Sequence, residues 1–333
     1  MQREKNDLRI ICMGTPEFAV GTLDKLVTQG YNVVAVVTQP DKPVGRHQEH
    51  VQPSPVKQYA EAHQIPVLQP EKMKDPIFIK ELERYQADLQ VVVAFRMLPE
   101  IVWAMPKFGT FNVHAALLPQ YRGAAPINWA IINGEEMTGV TTFFLDKEID
   151  TGRIILQKKF PIPETADVEY VYDGLMQLGA EAAVETIDRM LSNDGNIEST
   201  AQSAFIQSMA LQPEALHVAP KIFKETCDVN WNQPAKRVYD FIRGLSPYPG
   251  AWSASLMLKI EASQMEPLAT MKLYQTRQTG KRCDELPGTL VIDGKHLYVA
   301  CVDEWLEIIM IQPAGKKRMT AMDFINGKKN QKK

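Results

Sequence analysis

Short apolar runs alternate with amphipathic stretches through the N-terminal half of the chain. "LRIICMG", "NVVAVVT" and "DLQVVVAF" are β-branched and nearly continuous in hydrophobicity, as strands buried on both faces must be. Between them, "EFAVGTLDKLVTQG", "SPVKQYAEAHQ" and "DPIFIKELERYQ" carry apolar residues at helical spacing. Gly30 closes the first of these, and Ser54 caps the second with Pro55 at its first helical position. "IPVLQP" is short and extended. The alternation predicts an α/β domain with a doubly wound, mostly parallel sheet, Rossmann-like in outline. A helix after Pro126, paired strands "GVTTFFLD" and "RIILQKKFPI", and a long helix "DVEYVYDGLMQLGAEAAVETIDRML" complete a first domain over residues 1–191.

The pattern then changes. Residues 192–220 are rich in Ser, Asn, Gln and Pro with weak periodicity, which predicts a linker. Residues 221–333 offer one helix, "NQPAKRVYDFIRG", the turn "SPYPG", and the short strands "AWSASLML", "MKLYQT", "GTLVID", "HLYVAC" and "WLEIIMIQP". Short strands divided by turns predict a small β-barrel of the oligonucleotide-binding (OB) type, with Trp252 and Trp305 in its core.

Charge sharpens this division. The chain of 333 residues carries a net charge of −3, unevenly placed: residues 1–210 hold 19 basic against 27 acidic groups, and residues 211–333 hold 18 against 13. A basic domain joined to an acidic one suggests a polyanionic partner. Cys12, Cys227, Cys283 and Cys301 are scattered without a C-x-x-C pair, which fits a reducing compartment. No apolar leader and no membrane-length apolar run is evident, so a cytoplasmic protein without membrane attachment is expected.

Candidate chemistry centres on "FNVHAALLPQYRGAAPINWA". Asn112 and His114 are two apart in a strand and therefore share one face, with Phe111 and Val113 on the other. Ligands of open parallel sheets bind beyond the carboxyl ends of strands, where "VVVAFRMLPE" and "FNVHAALLP" both finish. Asp150 lies in the Gly-containing loop "DKEIDTGRI", free to fold over the same edge. An amide, an imidazole and a carboxylate suit acyl transfer. Other chemistries fit less well. "MGTPEFA" has one glycine where a dinucleotide fingerprint needs three, and neither a phosphate loop nor G-x-S-x-G is present. The six His residues show no metal-ligand spacing. From residues alone, a solvent-facing strand end stays open beside the catalytic reading.

"NVHAALLPQYRGAAPINWAI" with "EIDTGRIILQ" resembles the folate-dependent formyltransferases. The resemblance extends through "MGTPEFAV", "TQPDKPVGR", "PSPVK", "APKI", "IRGLSPYPGAW" and "GKKRMTAMDFINGKK", nearly the whole chain, and is most specific for the branch acting on methionyl-tRNA. It implies a first domain binding 10-formyltetrahydrofolate and a barrel gripping initiator methionyl-tRNA. Asn112, His114 and Asp150 are then catalytic. Ala116, Leu117, Leu118 and Pro119 line the folate, with Ala116 standing where the family has Ser. Arg96, Met97 and Leu98 belong to a pterin-side loop one residue shorter than the family form. Arg46 would reach the acceptor stem, and Lys316, Lys317 and Arg318 would meet tRNA phosphates. A monomer without metal or obligate protein partner is the expectation. Formyl transfer to a sugar-nucleotide or glycinamide ribonucleotide amine is the enzymatic alternative, and a non-catalytic tRNA-binding module is the other.

Overall fold

Seven strands of the N-terminal half form one sheet, each placed by its apolar run: β1 (Ile10–Gly14), β2 (Val33–Val37), β3 (Val67–Leu68), β4 (Leu89–Val93), β5 (Thr110–His114), β6 (Met137–Phe144) and β7 (Ile154–Pro161). The computed structural model describes residues 4–44, 50–208, 215–261 and 264–331. The chain divides into two units, residues 1–123, 137–161 and 172–218 in the first and 124–136, 162–171 and 219–333 in the second.

In the first unit the strand order is β7-β6-β5-β4-β1-β2-β3. Strands β1 to β5 pair in parallel, whereas β6 runs antiparallel to both β5 and β7. Helices α1 (Glu17–Thr28), α2 (Pro55–Ala62), α3 (Pro76–Arg84) and α4 (Glu100–Trp103) follow successive strands. Ser54 accepts the Lys57 N–H at 3.1 Å and Asp75 that of Ile77 at 2.9 Å, each satisfying an orphan donor at a helix start. Ile11, Met13, Val37, Leu68, Phe78, Leu82 and Val92 pack as a core on one side of the sheet. Winding reverses between β1 and β4, which makes their carboxyl ends the switch point of the sheet. A Cβ on Gly14, at the end of β1, would lie 2.3 Å from the Ala19 Cβ and 2.8 Å from the Val93 carbonyl oxygen, so glycine is required there. A hairpin, Lys42–Val44 with His50–Gln52, brackets Arg46, which itself lies outside the described residues.

The second unit takes in α5 (Pro126–Ile132), which begins after Gly123. Long helix α6 (Val168–Ser192), short α7 (Gln202–Ser208), α8 (Ala235–Arg243) and α9 (Ala321–Gln331) follow in the chain. The C-terminal strands are β8 (Ala251–Ser253), β9 (Met257–Glu261), β10 (Gln264–Pro267), β11 (Met271–Arg282), β12 (Thr289–Asp293), β13 (His296–Ala300), β14 (Glu304–Pro313) and β15 (Met319–Thr320). They form a curled half-barrel in the order β8-β11-β14-β13-β12-β9-β10, with β15 on β14 and no described pairing of β8 with β10. "AWSASLML" is two strands rather than one, because Ser253 Oγ accepts the Ser255 N–H at 3.3 Å and turns the chain. Leu258, Leu273, Leu290, Leu297, Ile308 and Ile311 fill the interior with Val238 and Ile242 of α8, and Trp252 packs against them.

Segment 162–171 belongs to this unit for a visible reason. Asp240 is 2% exposed and binds Arg243 Nε at 2.8 Å and Lys236 Nζ at 2.5 Å. Arg243 Nη1 then donates to the Ala166 carbonyl at 2.8 Å, and the Tyr239 hydroxyl to that of Glu164 at 3.0 Å. Ile132 of α5 lies in the same apolar core, and Asn128 donates to the Gly244 carbonyl at 2.9 Å.

On the opposite face of the half-barrel, Glu307 is buried and accepts from His296 Nδ1 at 2.7 Å and Arg277 Nε at 2.9 Å. Burial alone raises a carboxyl, but these two donors outweigh it and hold Glu307 below the ordinary carboxylate range. A lowered carboxyl stabilises the fold above its unfolded value, and that contribution fades as pH falls through the folded one. Glu307→Gln should therefore cost about 1–2 kcal/mol near neutral pH, the small figure reflecting the exposed Arg277 guanidinium. In denaturant titrations the gap between variant and parent should close as pH falls through the titration of this carboxylate in the folded protein.

Candidate active site

Strand β5 lies between β4 and β6, so both of its edges are bonded and its side chains must leave by the two faces. Phe111 and Val113 are fully enclosed on one face. Asn112 and His114 leave by the other, with Asn112 opposite Phe143 and His114 opposite Thr141 on β6. His114 is 6% exposed, and the Phe143 ring meets it edge-on at 6.4 Å.

The imidazole has two different sides. Its Nε2 lies 2.9 Å from the Tyr121 carbonyl oxygen, an atom that can only accept, so Nε2 carries hydrogen. Its Nδ1 lies 3.9 Å from Asp150 Oδ2, close enough for charge to matter and too far for a hydrogen bond. The same Asp150 oxygen accepts the Gly123 N–H at 2.9 Å. Nδ1 is therefore the atom left to take or give a proton, with a carboxylate behind it. The Asn112 amide lies on the same face, and its Oδ1 is buried without a hydrogen-bond partner. A half turn of the amide presents N–H at that position instead. A buried polar atom left unpaired costs about 1–3 kcal/mol, so this atom has capacity for a further hydrogen bond.

After His114 the chain turns through Ala115–Pro119, all apolar and, apart from half-buried Leu117, buried. Thr141, fully enclosed on β6, organises this turn. Its hydroxyl donates to the Ala116 carbonyl at 2.7 Å and accepts from the Leu118 N–H at 3.0 Å, while Gln157 reaches the Leu118 carbonyl at 2.7 Å. A Cβ on Gly139 would meet Leu117 Cδ2 at 2.6 Å and the Lys158 carbonyl at 2.1 Å, so the turn sits directly against β6. Leu118 packs with Phe143, Ile154 and Phe205.

The other residues expected beside the folate diverge. Arg96 turns back to the carbonyls of Pro70 and Glu71, leaving its Nε buried without a partner. Met97 is exposed, whereas Leu98 is enclosed in the sheet core. Lys316, Lys317 and Arg318 are exposed in the turn between β14 and β15 of the second unit, and the Arg318 guanidinium stacks 3.6 Å over the Tyr274 ring. Cys12 on β1 is no rival nucleophile, because burial pushes its thiol up to about 12. No group of three or more His, Cys, Asp or Glu side chains is placed to hold a metal ion among the described residues.

Residues 8–187 match the sequence family described as formyl transferase, and residues 221–329 match its C-terminal domain. The chain belongs to the formyl transferase family. Its similarity to the methionyl-tRNA formyltransferase of Parabacteroides distasonis is 54% identity over 97% of both chains. For the enzyme of the same name from Bacteroides fragilis it is 53%, over 97% of this chain and 96% of that one. Among solved structures, the N-formyltransferase of Helicobacter canadensis, complexed with folinic acid and dTDP-3-aminofucose, shares the fold. Its TM-score is 0.61 at 17% identity, over 94% of this chain and 100% of that one. HypX of Aquifex aeolicus in complex with tetrahydrofolic acid gives 0.60 at 18% identity, over 96% of this chain and 47% of that one.

Within this formyltransferase, sequence reasoning overlooked Thr141, Tyr121 and Gln202, which shape the site without an obvious motif. Thr141 carried a faint signal as a hydroxyl inside an apolar strand, but Tyr121 acts through its backbone and leaves none. Thr141→Val removes the hydroxyl that pairs two buried backbone groups. It should cost about 1–3 kcal/mol in denaturant unfolding, and Thr141→Ser markedly less.

Proposed function

We propose that this chain transfers the formyl group of 10-formyltetrahydrofolate to the α-amine of initiator methionyl-tRNA. One observation carries the reading: a buried imidazole, held at Nε2 and free at Nδ1 before a carboxylate, stands beside an amide with an unpartnered end. The naming of relatives more than 50% identical over the whole chain supports the substrate pair. The residues fit a formyl donor. Half-buried Leu117 offers it an apolar surface, and Asn112 Oδ1 and Arg96 Nε are buried polar atoms that a ligand would satisfy.

The reaction moves one carbon. The amine nitrogen bonds to the formyl carbon, and the carbonyl electron pair shifts onto the formyl oxygen. Asn112 N–H and protonated His114 Nδ1 donate to that oxygen, while Asp150, at 3.9 Å, balances the imidazolium without occupying its hydrogen. The carbonyl then re-forms, the bond to N10 breaks, and N10 takes a proton as the amine gives one up. The basic C-terminal segment, residues 211–333 with 18 basic against 13 acidic groups, favours tRNA over a small amine, since a sugar-nucleotide needs no such excess of positive charge. In this reading the protein acts as a cytoplasmic monomer, and Arg46 contacts the acceptor stem.

Two experiments test the proposal. Asn112→Ala and His114→Ala should each lower turnover of charged initiator tRNA by about 10²–10³ with folding preserved, and parental rates would reject the oxyanion assignment. Replacing Lys316, Lys317 and Arg318 together with Ala should weaken tRNA binding. The log affinity–log salt slope should flatten by roughly two units, with folate binding unchanged; an unaltered slope would place the tRNA contact elsewhere.

A further inference from the structure

Gln202 opens α7, between the two segments matched to the family, and is 3% exposed. Its carboxamide makes four hydrogen bonds. Nε2 donates to the Asp150 carbonyl at 2.8 Å and the Gly152 carbonyl at 2.9 Å. Oε1 accepts from Arg122 Nε at 3.0 Å and Arg122 Nη2 at 2.5 Å. Two donated and two accepted bonds are the full capacity of a carboxamide. Neither Glu, which donates nothing, nor Lys, which accepts nothing, can replace it.

The partners explain what this knot does. Asp150 has φ +57°, a left-handed conformation that L residues adopt at a cost, and Gln202 grips its carbonyl and the next but one. Arg122 sits between Tyr121, whose carbonyl holds His114 Nε2, and Gly123, whose N–H holds the Asp150 carboxylate. Both neighbours of the imidazole are thus tied to one buried side chain. The surrounding strap reinforces it. Thr200 exchanges two 2.8 Å backbone bonds with Ile154, Arg153 binds Ser199, and Phe205 packs on the cluster of Leu118, Phe143 and Ile154.

We propose that Gln202 is a positioning residue for formyl transfer, setting the Asp150 carboxylate against His114 Nδ1 by clamping the 150–152 and 121–123 loops together. The inference rests on the proposed roles of His114 and Asp150. Misplacement of a catalytic group by about 1 Å costs on the order of 10²-fold in rate.

The test uses the full chain and two substitutions of similar size, Gln202→Met, which removes every bond, and Gln202→Glu, which keeps the Arg122 contact but opposes two carbonyls. Each should lower kcat by about 10–100-fold with KM for both substrates nearly unchanged, and should alter the pH–rate profile. In an Asp150→Asn background, the same substitutions should cost clearly less than in the parent, because the carboxylate charge they displace is already gone. Full activity in Asp150→Asn itself would reject the role of Asp150, and with it the reading underneath. A strongly impaired Asp150→Asn beside a fully active Gln202→Met would overturn the Gln202 inference alone. So would undiminished losses in the double variants, which would mark Gln202 as a general structural support. If Gln202→Met fails to fold, Gln202→Glu and its double variant decide the matter by the same criteria.

Discussion

The bond from His114 Nε2 to the Tyr121 carbonyl decides how the candidate site can work. A carbonyl accepts and never donates, so it fixes hydrogen on Nε2 in every protonation state. Proton chemistry is thereby assigned to Nδ1, on the side of Asp150 and Asn112. The constraint depends on β5 holding the imidazole in place and on the 121–123 loop holding the carbonyl. Neither alone is sufficient, since a freely rotating ring would present both nitrogens equally.

Strand alternation does the first part of this work at little cost. With both edges of β5 bonded and Phe111 and Val113 enclosed beneath it, a one-residue slip would move Asn112 and His114 to the face that Phe111 and Val113 now occupy. The loops are a different matter. Tyr121 has φ +60° and Asp150 φ +57°, so the two backbones that meet at His114 both depart from favourable conformations. Side-chain to backbone bonds offset that cost: Gln202 to the carbonyls of Asp150 and Gly152, and Asp150 to the Gly123 N–H. Strain held in this way is common where a site must be rigid before its ligand arrives.

The second unit follows a different logic. Its interior is an ordinary apolar core, yet it recruits α5 and residues 162–171 from the N-terminal half of the chain. Tyr239 and Arg243 of α8 satisfy carbonyls in the latter segment, and Asp240 neutralises Arg243 in turn. A cut near residue 205 would leave those carbonyls and the apolar face of α5 without their partners. Packing, more than chain order, sets the boundaries of the units.

Much of the architecture was legible in the residues themselves. Continuous β-branched runs and amphipathic helices point to a parallel sheet that buries them, and the cap at Ser54 forms as local chemistry requires. Period-two alternation alone put Asn112 and His114 on one face. The break inside "AWSASLML" escaped that reading, since a serine hydroxyl can either face solvent or turn its own backbone. The linker-like composition around 192–220 likewise hid Gln202, a polar residue whose value lies in four partners distant along the chain. Local sequence determines which residues form strands and helices and which faces they bury, because those choices depend on near neighbours. Only the tertiary structure decided that Tyr121 would hold Nε2, that Asp150 would face Nδ1 without bonding it, and that one buried carboxamide would tie both loops. Those relations join segments tens of residues apart, and no local spacing encodes them.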